Sequence, residues 1–157
     1  MGGTDSKNYT YRILERLISS KSLRKIKIIV AISSKCPHLK KIKKISSTNK
    51  QILLKVDSNN IAELMFQADI AIGASGSSTW ERFCLGIPSI QFILAENQKS
   101  LAHALSEINA IKLIDELKEI PELLETSESW AYELTQNSIN IVDGKGASRV
   151  VSVLLNE

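Results

Sequence analysis

An α/β fold, a parallel sheet with helices on both faces, is what the 157 residues predict. Short β-branched segments alternate with longer segments whose apolar residues recur every three or four positions. The strand-like segments are continuously apolar rather than alternating, as in strands covered on both sides. Small-residue loops follow several of these strands, and in such sheets ligands bind outside the carboxyl ends.

Gly2-Gly3-Thr4-Asp5 is a small-residue loop running into Tyr9, Ile13, Leu14, Leu17 and Ile18, whose spacing predicts a helix over 8–20. A glycine turn before a helix normally follows a strand, so the expectation is a fragment cut just after one. Ile26 to Ile32 is a β-branched run fit for a buried strand. His38 to Ile45 forms a lysine-rich helix and Gln51 to Val56 a second strand. Asp57-Ser58-Asn59-Asn60 is a turn and capping cluster ahead of a helix over 61–67. Asp69 to Gln98 then gives a strand at Ile70–Ile72, a run of small residues from Gly73 to Thr79 and a helix carrying Glu81. Gly86 and Pro88 end that helix, and a strand at Ile90–Leu94 delivers Ala95-Glu96-Asn97-Gln98. Helices are expected over 97–109, 116–126, 128–140 and 147–155, with a short strand at 111–114. The sum is a Rossmann-like sheet forming a single domain over 1–157, without internal repeats or a linker.

Composition narrows the function. Hydrophobic and charged contents of 43% and 24% are ordinary for a globular domain, and the net charge of +3 does not by itself imply nucleic acid. Lys35, Lys40, Lys41, Lys43 and Lys44 cluster, but without aromatics or an arginine fork, so they read as a solvated face and no nucleic-acid partner is expected. Cys36 and Cys84 read as free thiols rather than a disulfide. The longest apolar run, Ile28 to Ile32, is far short of the roughly 20 residues of a membrane span, and no leader-like segment is seen. A cytoplasmic location is expected. No cofactor and no metal site are expected, because no ligand spacing exists.

The Gly73–Thr79 loop is the leading candidate for chemistry. A strand feeding a Gly/Ser-rich turn and a helix offers backbone N–H groups and a positive dipole end to a phosphate. It lacks both the Gly-Lys-Ser/Thr ending of a P-loop and the Gly-x-Gly-x-x-Gly spacing of a dinucleotide fold. A plain tight turn is the alternative. Glu81 suits a carboxylate accepting two ribose hydroxyls, against a capping box with Ser78. Arg82 reads as a solvated neighbour. Asn97 and Gln98 could meet a polar ligand or simply cap the next helix. His38 and His103 have no carboxylate nearby in sequence and read as ordinary surface or half-buried residues.

These blocks together carry a resemblance. Ala68-Asp69-Ile70-Ala71-Ile72-Gly73, Gly76-Ser77-Ser78-Thr79-Trp80-Glu81-Arg82, Leu85-Gly86-Ile87-Pro88 and Ala95-Glu96-Asn97-Gln98 are similar to the C-terminal half of the PseG-type UDP-diacetamido-trideoxy-altropyranose hydrolases. That family serves pseudaminic acid synthesis and includes spore-coat polysaccharide and flagellin-modification proteins. It is similar in turn to the bacterial cell-wall UDP-N-acetylglucosamine transferase of glycosyltransferase-B architecture. Gly2-Gly3-Thr4-Asp5 resembles the opening of the family's second domain, with threonine for serine, and Asp143-Gly144-Lys145-Gly146-Ala147 its final loop.

The resemblance implies one half of a glycosyltransferase-B fold, with a UDP-sugar as ligand and a missing N-terminal domain as partner. It assigns Gly76, Ser77, Ser78 and Thr79 to the diphosphate, with Gly3 and Thr4 opposite. Glu81 would hold the ribose, the backbone at Val56 and Asp57 would face uracil, and Asn97 and Gln98 would meet the sugar or diphosphate. The family's catalytic histidine belongs to the N-terminal domain, so no catalytic residue is assigned here and little turnover is expected of the chain alone. A glycosyltransferase domain is the enzymatic alternative, and a non-catalytic interaction module is the alternative of another class.

Overall fold

The computed structural model describes residues 4–155, so Met1, Gly2 and the candidate phosphate residue Gly3 lie outside the described residues. Strands and helices alternate as expected: α1 (Tyr9–Ser19), β1 (Ile28–Ile32), α2 (Leu39–Thr48), β2 (Ile52–Val56), α3 (Ile61–Phe66), β3 (Ala71–Ala74), α4 (Ser78–Cys84), β4 (Ser89–Phe92), α5 (Lys99–Glu107), β5 (Lys112–Leu113), α6 (Ile120–Glu125), α7 (Ala131–Ile139) and α8 (Gly146–Leu155). Short 3-10 turns at Ser22–Lys25, Glu96–Gln98, Leu117–Glu119 and Ser127–Ser129 connect them.

Every pairing is parallel, and each strand reaches its neighbour through a helix, as parallel strands must. The strands form two sheets, β1–β2 and β3–β4–β5. Register runs from Ile28 opposite Ile52 to Ile32 opposite Val56 in one, and from Ala71 opposite Ser89 to Ala74 opposite Phe92 in the other. β1 and β3 do not pair, so the single sheet expected from the strand pattern is divided in two.

Burial of apolar faces holds these layers together. Ile13 and Leu17 of α1 pack with Ile90 and Phe92 of β4, Ile120, Trp130 and Leu134 in the largest core cluster. Leu14 on the neighbouring face of α1 joins Val30, Cys36, Ile42 and Ile52 around the other sheet. α1 is therefore shared by both sheets, which the spacing Ile13-Leu14-Leu17 dictates. Phe83 anchors a third cluster with Leu105, Ala110 and Ile111, fixing α4 against α5. Cys36 is buried, Cys84 exposed, and both are free thiols. The five clustered lysines are all exposed, as a solvated helix face requires. No helix among the described residues is long and apolar enough to cross a membrane.

Candidate nucleotide-sugar site

Contacts at the start of α1 gather the loops on one edge. Tyr9 stacks on Phe92, at the carboxyl end of β4, with ring centroids 5.0 Å apart. Ser75 N–H, just past β3, donates to Phe92 C=O at 3.1 Å. His38, past β1, places Nε2 3.0 Å from Ser6 C=O, and Ser34 N–H donates to Asp57 Oδ1 at 2.8 Å. The loops after β1, β2, β3 and β4 and the Thr4–Asn8 loop are thus tied into one carboxyl edge, where ligands bind in open α/β sheets.

The Thr4–Asn8 loop is shaped by Asp5. This residue is buried, has φ 45°, and accepts from Tyr9 N–H at 2.8 Å and Thr10 N–H at 2.9 Å. Its carboxylate therefore occupies the N-terminus of α1, taking two of the first-turn donors that a second anion would need there. Thr4 is exposed beside it.

The Gly73–Thr79 loop divides its donors. Gly76 N–H is spent on Ala74 C=O and Thr79 N–H on Gly76 C=O, both at 2.9 Å. Among the described residues Ser77 N–H and Ser78 N–H have no backbone partner outside α4, and the Ser77 side chain is exposed and makes no capping bond. These are the orphan donors of a helix start. The capping box of Ser78 with Glu81 does not form, since the cap position is Ser77. Glu81 is exposed and makes no hydrogen bond or ion pair among the described residues.

Gln98 closes this cluster. Its side-chain carbonyl accepts from Leu94 N–H at 2.9 Å, which an amide nitrogen could not do, so the NH₂ end is turned the other way. A β-carbon placed on Gly76 would stand 3.8 Å from that Nε2. The helix-capping alternative for Asn97 and Gln98 is absent, because Ala95 and Gln98 hold the cap positions without side-chain caps. Asn97 is exposed. The fold thus brings Gly76, Ser77, Ser78 and Gln98 together, with Glu81 one turn along α4.

Of the other expected site residues, Thr79 and Asp57 have side chains bonded within the fold. Thr79 is fully buried: its hydroxyl donates to Gln91 Oε1 and accepts from Arg82 Nη2, each at 3.0 Å. Val56 is half-buried at the end of β2. Asp57, at φ 48°, braces the loop after β1 through Ser34. The Ser34 side chain and N–H, helped by Ser33 and Lys35, hold its carboxyl below the usual carboxylate value. A native-state carboxyl held low contributes stability above its unfolded value, about 3.9, and that contribution is lost as pH falls through the native value. Asp57→Asn, which tolerates the same backbone and keeps an acceptor for Ser34, is expected to be less stable than the parent at pH 7. The gap should narrow as pH falls below the unfolded carboxyl value and on through the lower native one, read from urea unfolding of both proteins.

Arg82 corrects an expectation. It is 4% exposed rather than solvated, because α4 turns this side chain down onto β3. Nη2 donates to Ala74 C=O at 3.1 Å as well as to Thr79, Nη1 reaches Ser78 Oγ at 3.3 Å, and Nε has no partner among the described residues. Burial pushes its pKa down to about 10, with Glu81 opposing, so it stays charged at neutral pH. Without side-chain carboxylate contact, the guanidinium lies behind the loop and lends it positive potential. Ser75 Oγ, buried at the same strand end, also lacks a partner. Sequence reasoning missed Arg82, Gln91 and Ser75 as a group; the only signal was the helical i,i+4 spacing of Ser78 and Arg82. A cavity of about 360 Å³ lined by Tyr9, Arg12, Arg16, Phe92 and Lys118 opens on the same carboxyl edge, and a groove of about 1070 Å³ lies between the sheets; neither is lined by the Gly73–Thr79 loop or Gln98.

Comparison with known proteins agrees with this architecture. No family model matches the chain. It is 25% identical over 162 residues to the spore coat polysaccharide biosynthesis protein SpsG of Bacillus subtilis, a match covering 98% of this chain and 48% of that protein. It is 35% identical over 107 residues to the UDP-2,4-diacetamido-2,4,6-trideoxy-beta-L-altropyranose hydrolase of Campylobacter jejuni, covering 68% of this chain and 37% of the hydrolase. The chain therefore spans about half, or less, of the curated relatives it matches. In structure it superposes on WaaG, a glycosyltransferase involved in lipopolysaccharide biosynthesis, with a TM-score of 0.68 at 19% identity, over 92% of this chain and 42% of that one. The fold is accordingly Rossmann-like α/β of the glycosyltransferase-B kind, and in sequence the chain is similar, at modest identity, to a spore-coat polysaccharide protein and a UDP-sugar hydrolase.

Proposed function

We propose that this chain is the nucleotide-holding half of a UDP-sugar hydrolase of surface polysaccharide synthesis, of the kind that serves pseudaminic acid or a related sugar. The observation that carries the reading is Gln98, whose amide is oriented by Leu94 N–H so that its donors lie against the Gly76 loop. A plain turn has no need of that arrangement. In this reading Ser77 and Ser78 N–H, the Ser77 hydroxyl and Gln98 Nε2 surround the diphosphate, and Arg82 adds positive potential from behind. Glu81, uncommitted among the described residues, accepts the ribose hydroxyls. Gly3, Thr4 and Asn97 border the ligand, Val56 and Asp57 lie toward the base, and Thr79 holds the loop from inside. Fixed donors of this type stabilise UDP as charge develops on it during departure from the sugar. A water-activating base and the sugar-reading wall come from an N-terminal domain, so the chain alone turns over little substrate. The names and functions of the two relatives support the reaction class.

The test is thermal unfolding with and without millimolar UDP. A ligand at a hundred times its Kd adds about 2.7 kcal/mol, so a rise of several degrees is expected, and Glu81→Ala should abolish it. Gly76→Ala separates site from fold: the new methyl meets nothing closer than 3.8 Å and the position has no positive φ. Stability should hold while the UDP shift falls. No shift with UDP on folded protein would overturn the proposal and favour a non-catalytic module. A transferase is distinguished by adding the complementary domain and finding UDP release that depends on a sugar acceptor.

A further inference from the structure

Charge is unevenly placed along the chain. Between Glu15 and Asp57 stand ten lysines and two arginines without one carboxylate, while all 17 Asp and Glu residues lie outside that stretch. These cations are all exposed, and none forms an ion pair among the described residues. Elsewhere Lys99, Lys118 and Arg149 each meet a carboxylate at 2.6–2.8 Å. The densest part of the basic stretch is α2. Its Ile42 is fully buried with Leu14, Val30 and Ile52, and Leu39 and Ile45 pack beside it. The helical period then sends Lys40, Lys41, Lys43 and Lys44 to the outer face. Lys35 precedes the helix and Lys50 follows it. Lys40 and Lys44 stand at i,i+4, a spacing at which like charges destabilise a helix. The fold supplies no compensation for that repulsion, and a negative partner would remove it.

We propose that the α2 face docks on the surface of an anionic bilayer, holding the chain there by charge. The inference does not depend on the nucleotide reading. Between Leu39 and Thr48 no apolar or aromatic side chain is exposed, so the face lacks the buried anchors of a specific protein interface. It also lacks the arginine forks and stacking aromatics that grip nucleic acids. Lysine is a point charge on a flexible stem, suited to a diffuse field without fixed geometry. Anionic headgroups present such a field, and a cluster of lysines on an amphipathic helix is what they attract. α2 spends its apolar side on the core, and no described helix is long and apolar enough to cross a membrane. The contact therefore lies at the headgroups and is reversible and salt-sensitive.

The experiment is co-sedimentation of the full chain with vesicles of phosphatidylglycerol and phosphatidylcholine in equal parts, and with phosphatidylcholine alone. At about 0.1 M salt, where charges act over about 10 Å, the chain should pellet with the anionic vesicles only. At about 1 M salt, with that range cut to about 3 Å, it should be released. A variant carrying Lys40→Gln, Lys41→Gln, Lys43→Gln and Lys44→Gln should bind about a hundredfold more weakly or worse, at about fivefold for each lysine near the surface. Its substituted side chains are exposed, so circular dichroism should match the parent. A second variant with Lys7, Lys99, Lys118 and Lys145 changed to Gln loses the same net charge and should bind like the parent. No pelleting at the lower salt, equal pelleting with neutral vesicles, or equal loss in both variants would overturn the proposal. Tighter binding to an oligonucleotide than to the vesicles would overturn it in favour of nucleic acid. A dimer at the lower salt that the α2 substitutions abolish would overturn it in favour of a second copy.

Discussion

Phe83→Ala is expected to lower the free energy of unfolding by about 3–5 kcal/mol, the usual cost of emptying a buried aromatic site. Phe83 is 1% exposed and packs with Leu105, Ala110 and Ile111, while Trp80 meets its ring edge-on at 5.9 Å. Domains of this size hold only about 5–15 kcal/mol in all, so the variant should sit near the edge of folding at 37 °C. Urea unfolding at 15 °C measures the loss. The side chain also fastens α4 two residues beyond Glu81, so a variant still folded in the cold should show a smaller UDP shift than the parent. A loss under 1 kcal/mol would mean that α4 is not anchored where the packing places it.

The second large effect is expected from Gln91. This fully buried amide joins β4 to the Gly73–Thr79 loop: its carbonyl accepts from Thr79, and its NH₂ donates to Ser89 Oγ at 2.8 Å. Gln91→Leu strands a hydroxyl proton on Thr79 and an acceptor on Ser89. Each buried orphan costs about 1–3 kcal/mol, so a total of about 2–6 kcal/mol is expected from equilibrium unfolding. Thr79→Val alone leaves the Gln91 carbonyl and one Arg82 donor short of a partner. The double variant should lose less than the sum, because the penalty is for half-satisfied polar groups and not for missing ones. Strict additivity would show that the two side chains act independently.

Much of the fold was legible because it depends on local chemistry. The β-branched run at Ile28–Ile32 and the apolar run at Ile52–Val56 read as strands, though Leu53 proves exposed, and Ile13-Leu14-Leu17 had to face an interior. Gly86, found at φ 65° after α4, ended that helix as its sequence context implied. The clustered lysines lacked the chemistry of a nucleic-acid partner and lie in solvent. The site was legible as a set of candidates only. Arg82 read as polar and therefore outside, yet it is buried, because the helix period and the packing of Phe83 leave it no other direction. Thr79 sat among phosphate-loop residues, but its hydroxyl is turned inward to Gln91, a partner twelve positions away on the next strand.

By itself the sequence determined the order and kind of elements, their parallel pairing through helices, and the carboxyl edge as the place to look for a site. These follow from periodicity, small-residue loops and connection lengths, all of which are local. Only the tertiary structure decided which donors remain free. Gln98 points its amide at Gly76 because Leu94 N–H claims its oxygen, and Asp5 claims the start of α1. Only the tertiary structure, too, left β1 and β3 apart with α1 across both, since strand pairing depends on which edges meet and not on what either strand contains.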